Sequence, residues 1–368
     1  MRIAFLTMGN DIGGAAQDVI TLSKGLAKNG HEVFVISSPG VMELTFRNTE
    51  VRFIEAPLYT RNPIGLWRAS RKIRKIALNN NLEILNPQGM YTALSSWLAC
   101  FGFRKSSFKV ITTIHMISSL KLYRFVSMLN IFSDHIITES YCERNRLTSN
   151  GVKRGIVTVI ANSVDMEKFS EAKSKPVLRE EYRLMDSCYC FGIIARLSKE
   201  KRHSDFIQAA RIAHSGIPDA RFFIVGDGPE KGRILKEMKG CEDFIIMTGA
   251  RNDIPDVLKS IDCFVLSSEV ESLPLSIREA MSMSLPVIAT DVGGIREAVI
   301  QGITGIVVPP KNPVILAQAM VKMARDRESA KQMGTRGMEL CSTNFELSQW
   351  VAKTEAAFNK VIKNQCNV

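Results

Sequence analysis

The 368-residue sequence lacks the features that mark several large classes of protein. It contains no run of about 18 apolar residues, the length that a membrane-spanning helix requires. The N-terminal stretch MRIAFLTMGN has one Arg and too short an apolar run for a secretory signal, so it is predicted to form a first strand. No low-complexity tract and no repeat of about 20 to 50 residues is found. A globular, cytoplasmic protein is therefore expected.

Cysteine is present, but not in a pattern that predicts disulfide bonds or a metal site. The eight Cys are scattered, and Cys188 and Cys190 are too close to pair comfortably and lack the two-residue gap of a zinc knuckle. The sequence contains no D-x-D motif and its five His are dispersed, so no divalent-metal site is predicted. Reduced cytosolic thiols are expected, with no metal and no cofactor.

Acidic residues are scarce in the first half of the chain. Residues 1–170 carry 21 Lys and Arg against 12 Asp and Glu, whereas the remainder carries 27 against 25. The formal net charge of +11 predicts an anionic partner, which could be nucleic acid, a nucleotide-bearing substrate or an acidic membrane surface.

Short apolar runs alternate with helical patterns along the chain. The first series is IAFLT, HEVFVIS, EVRFIEA, LEIL, KVITTIH, HIITES and VTVIA, and the second is CYCFGIIA, RFFIVG, FIIMTG, CFVLSS, LPVIAT and GIVVPP. This alternation is typical of parallel sheets covered by helices. The sequence therefore predicts an α/β fold with two tandem Rossmann-like domains, in which a ligand lies in a crevice at the carboxyl ends of the strands.

The polar stretch SEAKSKPVLREEY, residues 170–182, is the best candidate for a linker between the two series. We predict a first domain over residues 1–165 and a second over residues 166–345. The tail, residues 346–368, is predicted to form an amphipathic helix that crosses back to the first domain.

Two strand-to-helix turns carry groups that suit an anion. Gly13 and Gly14 follow the first strand and would let backbone N–H groups approach a phosphate at a helix N-terminus, although the spacing is not the G-x-G-x-x-G of dinucleotide-binding enzymes. The second strand also ends without an acid for a ribose, which argues against an oxidoreductase. In the second series, Arg196 and Lys201 follow a strand and would suit a pyrophosphate; a solvated basic loop is the alternative.

Further loops of the second series end at the same edge of the predicted sheet. The turns VGDGPE and MTGARND contain Gly226, Gly249 and Arg251, and each could be simple turn chemistry. The stretch ESLPLSIREAM places Glu271 and Glu279 eight positions apart with one other charged residue between them. Taken alone, these two acids are most simply interpreted as solvated groups that flank a helix.

These motifs together resemble a known family. In chain order they are GG near the start, GHEV, IANSVDMEKF, ARLSKEK, VGDGPE, TGARND, the E-x7-E of Glu271 and Glu279, LPVIATDVGGIREAV and TGIVVPP. The sequence is similar to the family 4 retaining glycosyltransferases of the GT-B fold from residue 3 to about residue 345. The resemblance implies two Rossmann-like domains with an interdomain cleft, the first binding the acceptor and the second a nucleotide sugar.

The resemblance also assigns roles to the two acids. It implies that Glu271 bonds hydroxyl groups of the donor sugar, and that Glu279 accepts from both ribose hydroxyls, because a carboxylate can take two such bonds. The backbone N–H groups of Leu275 and Ser276, at a helix start, would face the pyrophosphate.

The same resemblance suggests the catalytic groups. Arg196 and Lys201 would stabilise the leaving phosphate, and His115 would lie beside the donor sugar. With no D-x-D motif, we expect a metal-independent reaction in which the departing phosphate takes the acceptor proton. The expected donor is a UDP-sugar, with GDP next. The acceptor is expected to be a saccharide or lipid-linked molecule in polysaccharide or glycan synthesis.

The sequence departs from the family pattern at several positions. Serine or proline stands where many relatives have glycine, at Ser163, Ser272, Pro274 and Ser284. Asn86 and Gln88 occupy a region where relatives often show histidines, so no acceptor-binding role can be transferred there.

Three other functions remain open. A sugar-nucleotide epimerase would share the fold, and a non-catalytic nucleotide-sugar-binding protein would be expected to lose Arg196, Lys201 or Glu279. A nucleic-acid binder fits the charge, but the basic segment 68–80 has no interleaved aromatic residues. That segment, with segments 103–109 and 121–125, is predicted to face anionic lipid headgroups or an anionic acceptor, or to be a solvated face. A peripheral position on the inner membrane face would follow from the first of these.

Overall fold

A computed structural model describes residues 1–8, 13–40, 42–58, 62–100, 108–117 and 123–363. The predicted basic segment 103–109 and residues 121 and 122 lie largely outside these ranges. Contacts between Cα atoms divide the chain after Ser163 and after Glu346 into two compact units. The first unit contains the N-terminal part and the helix that begins at Leu347, and the second runs from Val164 to Glu346.

The first unit is built on a seven-stranded parallel sheet. The strands lie in the order β3-β2-β1-β4-β5-β6-β7, so that the chain starts in the middle and extends to both edges. Their bounds are β1 (Arg2–Thr7), β2 (Glu32–Ser37), β3 (Arg52–Glu55), β4 (Ile84–Pro87), β5 (Lys109–Ile114), β6 (His135–Thr138) and β7 (Val157–Val159). Because all the strands are parallel, their carboxyl ends lie at the same edge of the sheet.

Helices cover both faces of this sheet. They are α1 (Gly14–Lys28), α2 (Met42–Phe46), α3 (Pro63–Asn79), α4 (Met90–Cys100), α5 (Leu129–Phe132), α6 (Tyr141–Ser149) and the final helix of the chain, which is α15 (Leu347–Lys363). Helices α1 and α15 pack on one face, where Trp350 and Phe358 join a core with Ile3 and Phe5 of β1. Helix α3 covers the opposite face.

The second unit contains a six-stranded parallel sheet in the order β10-β9-β8-β11-β12-β13. Its strands are β8 (Cys190–Ile194), β9 (Arg221–Val225), β10 (Ile245–Gly249), β11 (Cys263–Leu266), β12 (Val287–Thr290) and β13 (Gly305–Val308). The helices are α7 (Val177–Glu181), α8 (His203–His214), α9 (Lys231–Glu237), α10 (Ile254–Lys259), α11 (Leu275–Ser282), α12 (Ile295–Ala298), α13 (Pro313–Arg325) and α14 (Arg327–Asn344). The two-sheet α/β architecture is the one predicted from the alternating pattern.

The strands are almost continuously apolar because both faces of each sheet are buried. Phe222 and Phe223, which are neighbours on β9, point to opposite faces and are both fully buried. Each unit therefore has a core of its own on each side of its sheet, and the strand ends are left to carry polar groups.

The interpretation of residues 170–182 as a linker is wrong. Within this stretch, α7 packs against the second unit: Leu178 is fully buried, and its backbone N–H donates to the Ser260 hydroxyl at 2.9 Å. The Arg179 guanidinium donates to Asp262 at 2.6 Å. One apolar anchor and one ion pair fix the segment, although its overall composition is polar.

The cysteines of the described ranges are all free thiols, with the Sγ atoms of Cys188 and Cys190 3.8 Å apart. None of the helices described combines the length and the apolar character that a membrane span needs.

Candidate active site

Three turns of the second unit lie against one another at the carboxyl ends of β8, β9 and β10, and the turns at β9 and β10 contain glycine. Gly226 has a φ of +146°, and a Cβ there would collide with the carbonyl oxygen of Ala195. The Gly226 N–H donates to the carbonyl of Gly249 at 2.8 Å. Only glycine allows this approach of backbone to backbone. The turn that carries Arg196 is thus adjacent to the two predicted glycine turns, and Arg196 is exposed and forms no salt bridge with the described residues.

Lys201 and Glu271, which the sequence assigns to different parts of a ligand, form an ion pair. The Lys201 ammonium donates to Glu271 Oε1 at 2.6 Å, and the Ser268 hydroxyl donates to the same oxygen at 2.6 Å. The Ser267 hydroxyl donates to the carbonyls of Lys201 and Arg202 and so fixes the lysine turn to the end of β11. The structure therefore places a half-buried cation beside a buried carboxylate.

Gly293 and Gly294 contact the backbone of the loop that carries Glu271. The sequence analysis assigns no role to this glycine pair. Gly293 has a φ of +55°, and a Cβ there would collide with the carbonyl oxygen of Glu271. The Gly294 N–H donates to the carbonyl of Ser272 at 2.7 Å. The DVGG stretch after β12 was the available signal, but its glycines are also typical of an ordinary turn.

Helix α11 begins directly after this loop, and its N-terminus is open. Pro274 precedes the helix, no side chain caps it, and its first turn contains no acidic residue. Leu275 and Ser276 are half-buried, so the free backbone N–H groups of the first turn lie in partly protected surroundings. Such a helix end attracts an anion through its N–H groups and the helix dipole.

Glu279 lies one turn further along α11. It is half-buried and forms no salt bridge or side-chain hydrogen bond with the residues that the structure describes. Burial raises the pKa of this carboxyl from 4.5 to about 7, and the nearby charges of Lys168 and Arg278 offset only part of that effect. A half-buried carboxylate without a partner is suited to accept hydrogen bonds from a ligand.

Arg251 already has partners. Its guanidinium forms a two-point contact with Asp253, at 2.9 and 2.7 Å, and a third bond to Glu181 at 2.9 Å. A donor-binding role of this side chain stays a prediction, and it would require an exchange of these contacts.

The other three predicted residues lie in the first unit. Gly13 is the N-cap of α1 and Gly14 is its first residue, and at both positions the space that a Cβ would occupy is open to a radius of 4 Å. His115 follows β5; its Nε2 lies 2.8 Å from Gln88 Oε1, and its Nδ1 is hydrogen-bonded to Glu139. Asp18 of α1 lies 3.6 Å from the same Nδ1.

Asp18, His115 and Glu139 also form the one group of three within the described ranges whose ligand atoms lie close enough to share a metal ion. Nδ1 of His115 is already hydrogen-bonded to Glu139, and Asn162 donates to Asp18 at 2.7 Å, so we assign the group as an ion pair of one imidazole ring with two carboxylates. Metal independence of the reaction stays a prediction.

Two sequence families match the chain. The family described as Glycosyltransferase Family 4 matches residues 12–168, and the family described as Glycosyl transferases group 1 matches residues 189–326. The chain is 28% identical to the N-acetyl-alpha-D-glucosaminyl L-malate synthase of Bacillus anthracis, over 98% of each protein. It is 32% identical to the UDP-Gal:alpha-D-GlcNAc-diphosphoundecaprenol alpha-1,3-galactosyltransferase of Escherichia coli, over 54% of each.

A solved structure has the same fold. The Anabaena protein HepE, crystallised with UDP and glucose, superimposes with a TM-score of 0.87 and 20% sequence identity over 98% of this chain and 99% of its own. The predicted two-domain α/β fold of the GT-B type is confirmed by this likeness.

Proposed function

Since this chain belongs to the family 4 glycosyltransferases and is a glycosyltransferase, we propose that it uses a nucleoside-diphosphate sugar as donor, with UDP as the favoured nucleotide. HepE was crystallised with UDP, and the name of the E. coli relative specifies a UDP-sugar, which supports this choice of base. We further propose that the sugar is transferred with retention of its anomeric configuration and without a metal.

The observation that carries the proposal is the open N-terminus of α11 between two carboxylates. In the proposed complex, the first-turn N–H groups of Leu275 and Ser276 face the diphosphate, and Glu279 accepts from the ribose hydroxyls. Lys201 lies beside Glu271, so its ammonium is held near the point where the phosphate departs. Arg196 has no competing salt bridge in the described structure and is free to bind the same phosphate.

The proposed reaction needs no protein nucleophile, and every bond that forms is matched by one that breaks. The acceptor hydroxyl oxygen forms a bond to the anomeric carbon on the face from which the diphosphate leaves. The bond between that carbon and the phosphate oxygen breaks, and the phosphate oxygen takes the acceptor proton. Arg196, Lys201 and the helix N-terminus stabilise the negative charge as it develops on the phosphate.

For the acceptor we propose a saccharide or a lipid-linked saccharide, the type of molecule named for the E. coli relative. A second candidate is a small hydroxy acid, because the relative that matches over nearly the whole chain is named for an L-malate product. A panel that contains L-malate and an undecaprenyl-diphosphate sugar separates the two.

We also propose that the first unit contacts an anionic membrane surface through the layer formed by α3, α4 and residues 123–132, which we call the basic layer. The helices of this layer pack side by side, and their sequence contains six Lys and Arg but no Asp or Glu. Its outer surface exposes Ile64 (67%), Trp67 (55%) and Ile131 (60%). Cations beside exposed apolar side chains are the chemistry of a peripheral membrane face.

Two rivals share the site. A sugar-nucleotide epimerase would convert the donor without any acceptor. A non-catalytic binding protein would bind the nucleotide but transfer nothing. Product analysis with and without acceptor distinguishes both from a transferase.

The first experiment is thermal melting with UDP, GDP, ADP, dTDP and CMP, then with sugar conjugates of the best ligand. A ligand at a hundredfold excess over its Kd stabilises the folded state by about 2.7 kcal/mol. We expect the largest shift with UDP. A shift with NAD or NADP alone, and none with any nucleoside diphosphate, would overturn the proposal.

A matched pair of lysine variants tests the chemical step. Lys201→Ala should lower turnover by a factor on the order of 10² or more, because its charge acts on the leaving phosphate. Lys199→Ala, an exposed lysine in the same turn, should leave turnover unchanged. Equal rates for both variants would remove Lys201 from the mechanism.

A further inference from the structure

A hydrogen-bonded chain of side chains runs along the carboxyl ends of β4 and β5 in the first unit. It starts at the backbone carbonyl of Ile111, to which the Asn86 amide nitrogen donates at 2.5 Å. A carbonyl can only accept, so this contact fixes which end of the Asn86 amide is nitrogen. Asn86 Oδ1 therefore points away from that carbonyl and toward Gln88.

The orientation of Asn86 fixes that of Gln88. The Gln88 amide nitrogen donates to Asn86 Oδ1 at 2.6 Å and to the Asn86 carbonyl at 3.1 Å. Reversal of the Gln88 amide would put its oxygen against two acceptors. Gln88 Oε1 must then face His115, where it lies 2.8 Å from Nε2. Because an amide oxygen only accepts, Nε2 of His115 carries a proton.

The other ring nitrogen faces two carboxylates. Nδ1 is hydrogen-bonded to Glu139, which follows β6, and lies 3.6 Å from Asp18 of α1. Asn162, beyond β7, donates to Asp18 at 2.7 Å and keeps that carboxylate in place. With both carboxyl groups ionised, Nδ1 carries a proton as well, which makes the ring an imidazolium; its side chain is 18% exposed.

No other charge opposes or supports this state among the described neighbours. The other polar side chains that line the cavity at this ring are uncharged; they are Gln88, Thr113, Asn162, Trp350 and Thr354. Burial by itself lowers the pKa of His115, but the charge and hydrogen bond of Glu139 and the charge of Asp18 outweigh it, so that the pKa is raised.

We propose that Gln88 and Glu139 are positioning residues that hold His115 with a proton on both ring nitrogens. This proposal rests on the proposed transferase function, in which His115 lies beside the donor sugar. A doubly protonated ring has no lone pair with which to accept a proton. His115 then cannot be the base that deprotonates the acceptor, and the proton must leave on another group, such as the departing phosphate.

The test is NMR of the protein labelled with ¹⁵N in its histidine rings. The chain contains five His, and His115→Gln assigns the signal of interest. At neutral pH both ring nitrogens of His115 should show the shifts of protonated nitrogen, and the ring should titrate above the ordinary histidine value of 6.5. Glu139→Gln should move that titration to lower pH. Gln88→Leu should do the same, since it removes the acceptor of the Nε2 proton.

Glu355→Gln is the matched control. Glu355 pairs with another ring, His31, at 2.9 Å, so its loss should leave the His115 signal where it is. A His115 ring that is neutral at pH 7 in the parent protein would overturn the proposal. An unchanged His115 titration in Glu139→Gln would also overturn it. If Glu139→Gln does not fold, the His115 titration in Gln88→Leu provides the same test.

Activity provides a separate readout. Transfer by Gln88→Leu should fall by about 10²-fold in kcat, as expected when a positioned group is displaced by about 1 Å, with a smaller change in KM. Its rate should also gain a pH dependence that follows the His115 titration measured by NMR. If the protein turned over no nucleotide sugar, the proposed function would fail, whereas the NMR result would still decide the protonation state of the ring.

Discussion

The carboxylate of Glu279 lies half-buried in α11 without a side-chain partner in the described structure. Because burial raises its pKa to about 7, this group is partly protonated at neutral pH in the unliganded protein. One oxygen of a neutral carboxyl carries a proton. Such a group accepts hydrogen bonds from two ribose hydroxyls less well than a carboxylate, in which both oxygens are charged acceptors. In the proposed complex, nucleotide binding would thereby be coupled to pH through one residue.

We predict that UDP binds more tightly as the pH rises through about 7, and that Glu279→Gln removes this dependence. Calorimetric titration of UDP between pH 5.5 and 8.5 measures both effects. The Gln variant should also bind UDP more weakly than the parent at pH 8. A parent protein with pH-independent binding would contradict the ribose role of Glu279.

The stability of the unliganded protein should change in the opposite direction. The folded-state pKa of Glu279 is raised above its ordinary value, so its stabilising contribution is complete below pH 4.5 and is lost as the pH rises through about 7. Denaturant unfolding without ligand measures this effect. Between pH 6 and pH 8 the free energy of unfolding should fall less in Glu279→Gln than in the parent.

Lys201 could be identified as a candidate from the sequence because it follows a strand end, whereas Glu271 and Glu279 became candidates only through the resemblance to the family. The sequence could not predict that Lys201 pairs with Glu271. That contact depends on where two loops, 70 residues apart in the chain, meet at the ends of neighbouring strands. The sequence assigns no role to Gln88 for the same reason, since its partner His115 is brought to it by the pairing of β4 with β5.

At the scale of elements, the glycine pair after β12 determines where the Glu271 loop lies. We predict that Gly293→Ala lowers transfer by a factor on the order of 10² or more, because the added Cβ would collide with the Glu271 carbonyl and displace the loop. Transfer rates and melting temperatures measure the effect.

Gly302→Ala is the control for this substitution. Gly302 also has a positive φ, +73°, but no atom lies within 4 Å of a Cβ placed there. The Gly302→Ala variant should lose about 1–2 kcal/mol of stability from backbone strain and retain the transfer rate of the parent. If both variants had the same transfer rate, the loop would not be positioned by Gly293.

Every strand predicted from the sequence is found in the structure, because apolar runs bounded by turn residues are a direct consequence of burial on both faces. Segment 170–182 was misjudged because composition averages over a stretch. Leu178 and Arg179 determine its position, and nothing in the local sequence indicates that Ser260 and Asp262 are their partners.

The basic layer makes a prediction about membranes. Vesicles rich in anionic lipid should bind the protein at low salt and release it as the salt concentration rises, because ions screen the attraction. Replacing Arg71, Lys72, Arg74 and Lys75 with Gln should weaken binding, and Trp67→Ser should weaken the part that persists at high salt. Co-sedimentation with vesicles measures both.

The control changes the same number of charges elsewhere. Exposed cations of other helices, Lys236, Lys331, Arg336 and Lys353, are replaced with Gln. If the two sets of substitutions weakened binding equally, net charge alone would explain the attraction, and the basic layer would be an ordinary solvated face.

At the scale of the whole molecule, the two units differ in how the chain builds them. The second unit, Val164–Glu346, is one continuous segment with its own core, whereas the first unit requires α15 from the end of the chain. Trp350, Val351 and Phe358 of that helix are buried with the strands of the first sheet. Loss of a buried Trp or Phe side chain costs about 3–5 kcal/mol.

We predict that truncation after Glu346 unfolds the first unit but leaves the second intact, since the combined loss approaches the whole stability of a domain, about 5–15 kcal/mol. Limited proteolysis with mass spectrometry should then recover a resistant fragment close to residues 164–346. Lys353→Glu, on the exposed side of the same helix, should melt like the parent. Equal protease resistance of both units after truncation would show that α15 is dispensable.

The position of α15 in the chain also sets an order of events on the ribosome. When Ser163 has been synthesised, the first sheet is complete, but the face that α1 covers lacks its second helix until Leu347 and the residues after it emerge. At about 5–20 residues per second this interval lasts on the order of ten seconds or more. During that time the whole second unit is made and can fold, so the half of the protein that is translated first reaches its native state last.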